Sequence, residues 1–391
     1  MKESGTIISF YSFKGGVGRT MSLVNIAILL ARRYKVLVID FDLEAPGLEK
    51  FLTNFQLKAG NKKGGLLEIL EKASNSKQKK LTDYQTYTQS VTGSPLKSLH
   101  FLSSGNTENN YSIRVQKFDW TGFFEKRNGI EFFEYLRDDL KANYDFIFID
   151  SRTGYSDTSG ICTYFLPDIL VLLFTANQQS VEGTIEVAEK VVNARQKLNV
   201  DRMPVTILPI PARIDKTVEY EEVKKWTKLF INNFSDYYKK WLPKNLTPER
   251  ILEEITIPYV AYYSFGEKLP VIEDSLTKKE SPAYFYSQIA KILESNFRDV
   301  DKVLWGSEIG LPVKLEVILQ KYRDQLNSRQ QAIMREVYSN GFVTNKWCRE
   351  TFMVVNDTVN RDLKLLYDLR LIEQVGKGPA TKYIKGEKME F

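Results

Sequence analysis

One heptapeptide constrains this chain more than any other stretch: Lys14-Gly15-Gly16-Val17-Gly18-Arg19-Thr20. It lies between an apolar run, Ile7-Ile8-Ser9-Phe10-Tyr11, and a helical pattern that continues from Met21 to Leu30. Glycines at 15, 16 and 18 let the backbone curl until several N–H groups converge. A helix starting there adds the positive end of its dipole. Such a turn holds an anion. Thr20, at the helix start, can place its hydroxyl on a Mg²⁺ held between phosphates. Strand, glycine turn and helix together point to a nucleoside triphosphate, with an ordinary glycine-rich turn as the alternative.

The spacing departs from the standard phosphate loop, G-x-x-x-x-G-K-[ST]. Phe13 replaces the first glycine, Arg19 replaces the lysine, and an additional lysine stands at Lys14. This pattern resembles the deviant Walker A motif of the ParA/MinD family of dimeric ATPases, in a branch reading K-G-G-V-G-R. The resemblance implies ATP and Mg²⁺ as cofactors, a nucleotide-sandwich homodimer and slow ATP hydrolysis that times a switch. Lys14 would then reach the phosphates held by the other subunit, while Gly15, Gly16, Val17, Gly18, Arg19, Thr20 and Met21 wrap the subunit's own. Arginine is a planar, permanently charged fork, so Arg19 can clamp phosphate oxygens without reproducing a lysine's point charge. The base would lie after the fifth strand, near Pro211 and Arg213.

With 391 residues the chain has room for two or three domains. No run of about 18 apolar residues occurs, so no membrane span is expected, and the first residues run into a strand without a secretory pattern. The two cysteines, Cys162 and Cys348, fall in different expected domains. That spacing argues against a disulfide framework or zinc cluster and for a reducing cytoplasm. A single histidine, His100, leaves no histidine triad to consider. The net charge of +6 is compatible with weak attraction to nucleic acid.

Short apolar strands ending in carboxylates recur at Lys35–Asp40 and Tyr144–Asp150, and further strands are expected at Ile169–Phe174 and Val205–Ile210. Helical patterns lie between several of them. Continuous apolar strands alternating with amphipathic helices indicate a mostly parallel α/β sheet covered by helices on both faces, and the family resemblance implies that it is the P-loop NTPase arrangement. Ligands in such sheets sit beyond the carboxyl ends of the strands. The segments 14–20, 40–42 and 150–154 all fall there. Leu99–Leu102 reads as an added strand. The insertion from Val218 to Leu246 carries Trp226, Phe230, Phe234, Tyr237, Tyr238 and Trp241, whose helical spacing favours packing on the body over stacking on nucleic acid.

By resemblance, Asp40 belongs to the metal shell together with Thr20 and Asp150, and Asp42 positions the attacking water. Capping a turn near Leu43 is the alternative for Asp42. Arg152, where the family usually carries proline, would either stabilise charge on the γ-phosphate or clasp Asp157. The family resemblance spans residues 5 to 296.

Beyond Leu293 a charged segment carries Gly306, Gly310 and Pro312 and reads as a partly helical linker. The expected division is an ATPase domain at 1–298, a linker at 299–327 and a small α+β domain at 328–391. Helices at 331–338, 345–352 and 357–369, the third with an apolar stripe of Val355, Val359, Leu363 and Leu366, precede a hairpin. That order resembles a winged helix-turn-helix domain. Asn360, Arg361 and Lys364 on the third helix and Lys377 and Lys382 on the wing could contact DNA. Asp357 opposes this, and eleven Lys or Arg against eight Asp or Glu from Ser328 to Phe391 leave only a small basic excess. DNA is the favoured partner, and docking of a protein partner or effector is the alternative.

Overall fold

In a computed structural model the described residues are 4–58, 63–75, 83–108, 110–154, 160–198, 202–215, 220–305, 315, 318–319, 321–322, 325–352, 354–376, 378 and 381–387. The chain divides into two units, Met1–Val300 and Asp301–Phe391.

The first unit is built on nine strands. They are β1 (Thr6–Tyr11), β2 (Val36–Asp40), β3 (Gln56–Lys58), β4 (Gln89–Thr92), β5 (Leu99–Leu102), β6 (Phe146–Asp150), β7 (Ile169–Phe174), β8 (Thr206–Ile214) and β9 (Ile257–Pro258). Their order across the sheet is β3-β4-β5-β2-β6-β1-β7-β8-β9. Pairing is parallel from β5 to β9 and antiparallel at the β3–β4–β5 edge. The central strands β2, β6 and β7 are buried along their whole length, as continuous apolar sequence between two helical layers requires.

Alternation assigns the two layers. Ile7, Leu37, Ile39, Ile147 and Ile149 meet Leu66 of α2 (Leu66–Asn75), Phe123 of α4 (Trp120–Lys126) and Phe133 of α5 (Gly129–Asn143). Short α3 (Tyr111–Lys117) precedes α4, and α6 (Gln178–Lys197) packs on β7. The intervening residues, among them Ile8, Phe10, Val36 and Phe148, point the other way. On that side α1 (Arg19–Ala31) packs against α10 (Pro282–Glu294). Buried Asn25 on α1 accepts from the Val271 amide (3.1 Å), at the start of α9 (Pro270–Glu273). Its Nδ2 donates to the Met21 carbonyl (2.8 Å), so a polar core residue ends up satisfied.

In the insertion, α7 (Tyr220–Lys239) packs on β8 and on α8 (Pro248–Ile255). Phe230, Phe234 and Tyr238 are buried, with the first two rings 5.1 and 4.7 Å from Phe174. The helical spacing of these aromatics therefore serves packing.

The second unit holds helices Ser328–Asn340, Asn345–Phe352 and Asn356–Asp368. It also contains an antiparallel sheet of β10 (Phe342–Val343), β12 (Lys382–Lys385) and β11 (Ile372–Val375), in that spatial order. Two sequence expectations need correction here. The segment expected to be a linker supplies core: Leu315, Ile318, Leu319, Tyr322 and Leu326 are buried with Ile333, Val337, Val359 and Leu366. Their spacing of three and four residues is a helical stripe, outweighed in the sequence reading by the nearby glycines and proline. Val355 is 70% exposed and only precedes the third helix, so the buried stripe begins at Val359.

Asp362 ties this unit together. Its buried carboxylate accepts from Arg329 Nε (2.5 Å) and Nη2 (3.3 Å) and from Gln330 Nε2 (2.8 Å). Asp362→Ala strands both donors and should cost about 2–4 kcal/mol. The effect is read by calorimetry as a lowered midpoint for this unit.

Candidate nucleotide-binding site

The loop after β1 adopts the conformation its glycines permit. Gly16 and Gly18 have φ of +74° and +88°, which residues with a Cβ rarely adopt. Gly18 in this conformation leads directly into α1. A Cβ built at Gly15 or Gly16 meets no atom within 4 Å, so the backbone there borders open space. That space is a cleft of about 470 Å³ lined by Gly15 to Ser22, Asp42, Thr153 and Arg213, and by Pro258, Tyr259 and neighbouring residues.

Below the loop a charged cluster forms. In-register pairing of β2 with β6 sets Asp40 opposite Asp150. Arg19 is buried between them and the next loop. Its Nε donates to Asp150 Oδ1 (2.6 Å) and its Nη2 to Asp42 Oδ2 (3.2 Å), while Nη1 is buried without a hydrogen-bond partner. Burial works against the Arg19 charge, but the Asp150 and Asp42 carboxylates outweigh it and hold its pKa above the ordinary value. Thr20 Oγ1 donates to Asp150 Oδ2 (2.7 Å). One carboxylate therefore receives both the first and second residues of α1.

Asp40 has a different setting from the one expected. Its oxygens accept from the backbone N–H groups of Asp42, Gly47 and Leu48, each at 3.2 Å, and so brace the loop that follows β2. Burial, and then the Asp150 charge, push its pKa up to about 7. Asp42 is also pushed up by burial, with Arg19 offsetting part of the effect. Neither expectation for Asp42 included its contact with Arg19, whose Nη2 donates to it at 3.2 Å. Asp42 also caps its own turn, accepting from the Ala45 amide (3.3 Å).

Arg152 pairs with Glu44, which joins the loop after β6 to the loop after β2. The expected alternative partner, Asp157, lies outside the described residues. Arg213 lines the cleft in a left-handed conformation (φ +59°), with Nη1 donating to the Gly16 carbonyl (2.8 Å) and its guanidinium 4.9 Å from the Tyr259 ring centroid. Pro211 does not line the cleft. It is buried within β8 opposite Phe174, because that strand continues to Ile214. Lys14 is half-buried and does not line the cleft, and Met21 does. Ile257, Pro258, Tyr259, Val260, Tyr263, Ser264 and Gly266 also line the cleft and were not expected as site residues, since no local motif marks them. Pairing of β9 with the end of β8 is what brings them to the cleft.

The residues fit a magnesium–nucleotide pair. Open space beside Gly15 and Gly16 leaves room for phosphate against backbone, and buried Arg19 retains an unused donor. Thr20 and Asp150 supply adjacent hard oxygens. Among the described residues no group of three or more His, Cys, Asp or Glu is placed to hold a metal alone. Mg²⁺ takes one or two carboxylates and completes its shell with phosphate and water, which the Asp150 carboxylate and the Thr20 hydroxyl suit. Cys162 is fully buried, and burial raises its thiol pKa well above the ordinary value, so it offers no nucleophile.

In the second unit Asn360 Oδ1 accepts from Asn345 (2.7 Å), and Arg361 Nε donates to the Asp357 carbonyl (3.3 Å). Lys364 is exposed, and Lys382 Nζ lies 4.1 Å from the Phe342 ring centroid. Lys377 lies outside the described residues.

Comparison with known proteins places this site in a family. The sequence matches the AAA domain family over residues 5–202, just over half of the 391-residue chain, and the chain belongs to that family. No curated protein matches it. Among solved structures it is similar to the septum site-determining protein MinD of Pyrococcus horikoshii OT3 complexed with Mg-ADP. That match has 18% identity and a TM-score of 0.49, covering 76% of this chain and 98% of that one. A plasmid partition protein of Borrelia burgdorferi matches with 20% identity and a TM-score of 0.40, over 58% and 86% of the two chains. The MinC:MinD cell division complex of Aquifex aeolicus matches with 18% identity and a TM-score of 0.45, over 73% and 95%. No helix of the described residues is long and apolar enough to cross a membrane.

The Asp40 carboxyl gives a pH prediction. Its folded pKa of about 7 exceeds the ordinary 3.8, so the folded chain binds the extra proton. This group's contribution to stability therefore declines as pH rises from about 4 to 7 and stays lost above that. Denaturant midpoints without nucleotide should show Asp40→Asn gaining stability relative to the wild type between pH 5 and pH 8. An unchanged difference contradicts the assignment.

Proposed function

We propose that this chain is a ParA/MinD-type switch that binds ATP with Mg²⁺, hydrolyses it slowly and pairs with a second copy around the nucleotide. The reading rests on one observation above the rest: Thr20 and Arg19 both donate to Asp150 at 2.7 and 2.6 Å, directly beneath a glycine loop that opens onto a cleft.

Phosphoryl transfer needs positioning and neutralisation of charge more than a strong base. Backbone N–H groups of residues 15–20 bind and orient phosphate. Arg19 supplies a fixed positive charge, Asp42 orients water, and Lys14 serves the site of the other copy. When bound, Mg²⁺ neutralises phosphate charge, and Thr20 and Asp150 are the residues that would hold it. Arg213 and Tyr259 border the end of the cleft assigned to the base.

The second unit is read as a winged helix that couples the nucleotide state to DNA, through Arg361 and Lys364 on its third helix and Lys382 on its wing. Partition, regulation or defence against foreign DNA all fit such a device in the cytoplasm. Docking of a protein partner is the second reading, favoured by the engagement of Asn360 with Asn345, which occupies the amide best suited to read a base.

Calorimetry of the wild type with Mg-ATP should show binding, and light scattering should show a doubling of mass with ATP but not ADP. Lys14→Ala should retain binding and lose the mass change, while Thr20→Ala should weaken Mg-dependent affinity about tenfold or more. Equal mass in both nucleotides sinks the dimer. For the second unit, Arg361→Ala with Lys364→Ala should weaken duplex binding and flatten its salt dependence by about 2.

A further inference from the structure

Each of the three guanidinium nitrogens of Arg19 has a different environment. Nε and Nη2, which share one edge of the plane, donate to Asp150 Oδ1 (2.6 Å) and Asp42 Oδ2 (3.2 Å). Nη1, on the other edge, is buried with no hydrogen-bond partner among the described residues. A buried N–H without an acceptor is unfavourable, so the chain keeps an unsatisfied donor on a residue that lines the cleft. Arg19 is only 8% exposed and cannot swing as a surface arginine does.

Asp42 is committed on both oxygens. Oδ2 takes the arginine, and Oδ1 takes the Ala45 amide (3.3 Å) of its own turn. The turn contact is local and moves with the loop. The bond from the Asp42 amide to Asp40 (3.2 Å) fixes backbone and leaves the Asp42 carboxylate free to rotate. Arg19 is the contact that ties this carboxylate to the sheet, because Arg19 is itself anchored on Asp150 at the end of β6.

These contacts separate two uses of a cation at position 19. Clamping phosphate needs charge and reach, which a lysine also supplies. Joining a carboxylate on a strand end to one on a loop, with a third donor kept apart, needs donors at fixed spacing in one plane. A guanidinium has them and a flexible ammonium does not.

We propose that Arg19 is a positioning residue for Asp42: one edge of its guanidinium joins the water-orienting carboxylate to Asp150, and the other keeps Nη1 for a phosphate oxygen. The inference rests on the ATPase reading above and specifies how that site aligns its water with the phosphate. In phosphoryl transfer alignment matters more than a strong base, and a misplacement of about 1 Å can cost about 100-fold.

The test compares the full wild-type chain with Arg19→Lys. Mg-ATP affinity and KM should stay within about threefold, because the charge is kept, whereas kcat should fall about 10- to 100-fold. Hydrogen exchange without nucleotide reads the link directly. Amides of residues 42–48 should exchange at least about tenfold faster in Arg19→Lys, with those of α10 unchanged. Asp42→Ala breaks the same link from its other end, so adding Arg19→Lys to it should lower kcat no further. Should Arg19→Lys fail to fold, guanidinium proton NMR of the wild type and Asp42→Ala decides the matter. A slowly exchanging Arg19 Nη2 signal is expected in the first and not in the second, and identical signals overturn the proposal. With an active wild type, unchanged kcat in Arg19→Lys overturns the inference and leaves the ATPase reading standing. Lost affinity with kcat retained does the same, since Arg19 then only clamps phosphate. A wild type that never turns over Mg-ATP removes the reading on which the inference rests.

Discussion

A buried guanidinium among three carboxylates is the constraint around which the site is organised. Register between β2 and β6 brings Asp40 and Asp150 together, and Asp42 follows two residues later. Three carboxylates at close quarters in a dry interior repel one another, and removing them from water adds to the cost. Arg19 answers two of them at once, which a lysine's single ammonium could do less well than a flat fork with separate donors. Asp40, left without a cation, is satisfied by three amides and by an elevated pKa.

From that cluster the loop between Phe41 and Leu48 acquires its shape. It is held from below by Asp40, from the side by Arg19 through Asp42, and from the loop after β6 by Arg152 through Glu44. Arg19, through Asp42, and Arg152, through Glu44, both contact this one loop. Arg213 adds a third restraint on the opposite wall, where a left-handed backbone is kept by a bond to Gly16 and by the Tyr259 ring.

The phosphate loop, the parallel sheet and the aspartates at its edge were legible because each is written in contiguous residues. Apolar strands of five or six residues, glycine spacing and a terminal carboxylate need no knowledge of distant partners. The packing of α7 was legible for the same reason, through aromatic residues at helical spacing. Pro211 was misplaced because strand ends are set by pairing, and β8 runs on to Ile214 beside β7 and β9. The segment near Leu315 was read by its charges, glycines and proline, while its apolar stripe meets a core contributed by helices further along the chain.

The sequence by itself determined that a glycine turn would join a buried strand to a helix and that carboxylates would end two neighbouring strands, since local sterics and hydrophobic patterning act over a few residues. Only the tertiary structure decided that Arg19 turns toward Asp150 and Asp42, that Arg152 meets Glu44, and that Tyr259 closes one wall of the cleft. Those outcomes depend on which charges and rings the sheet order brings within reach, and at such separations in sequence the chain carries no local signal of them.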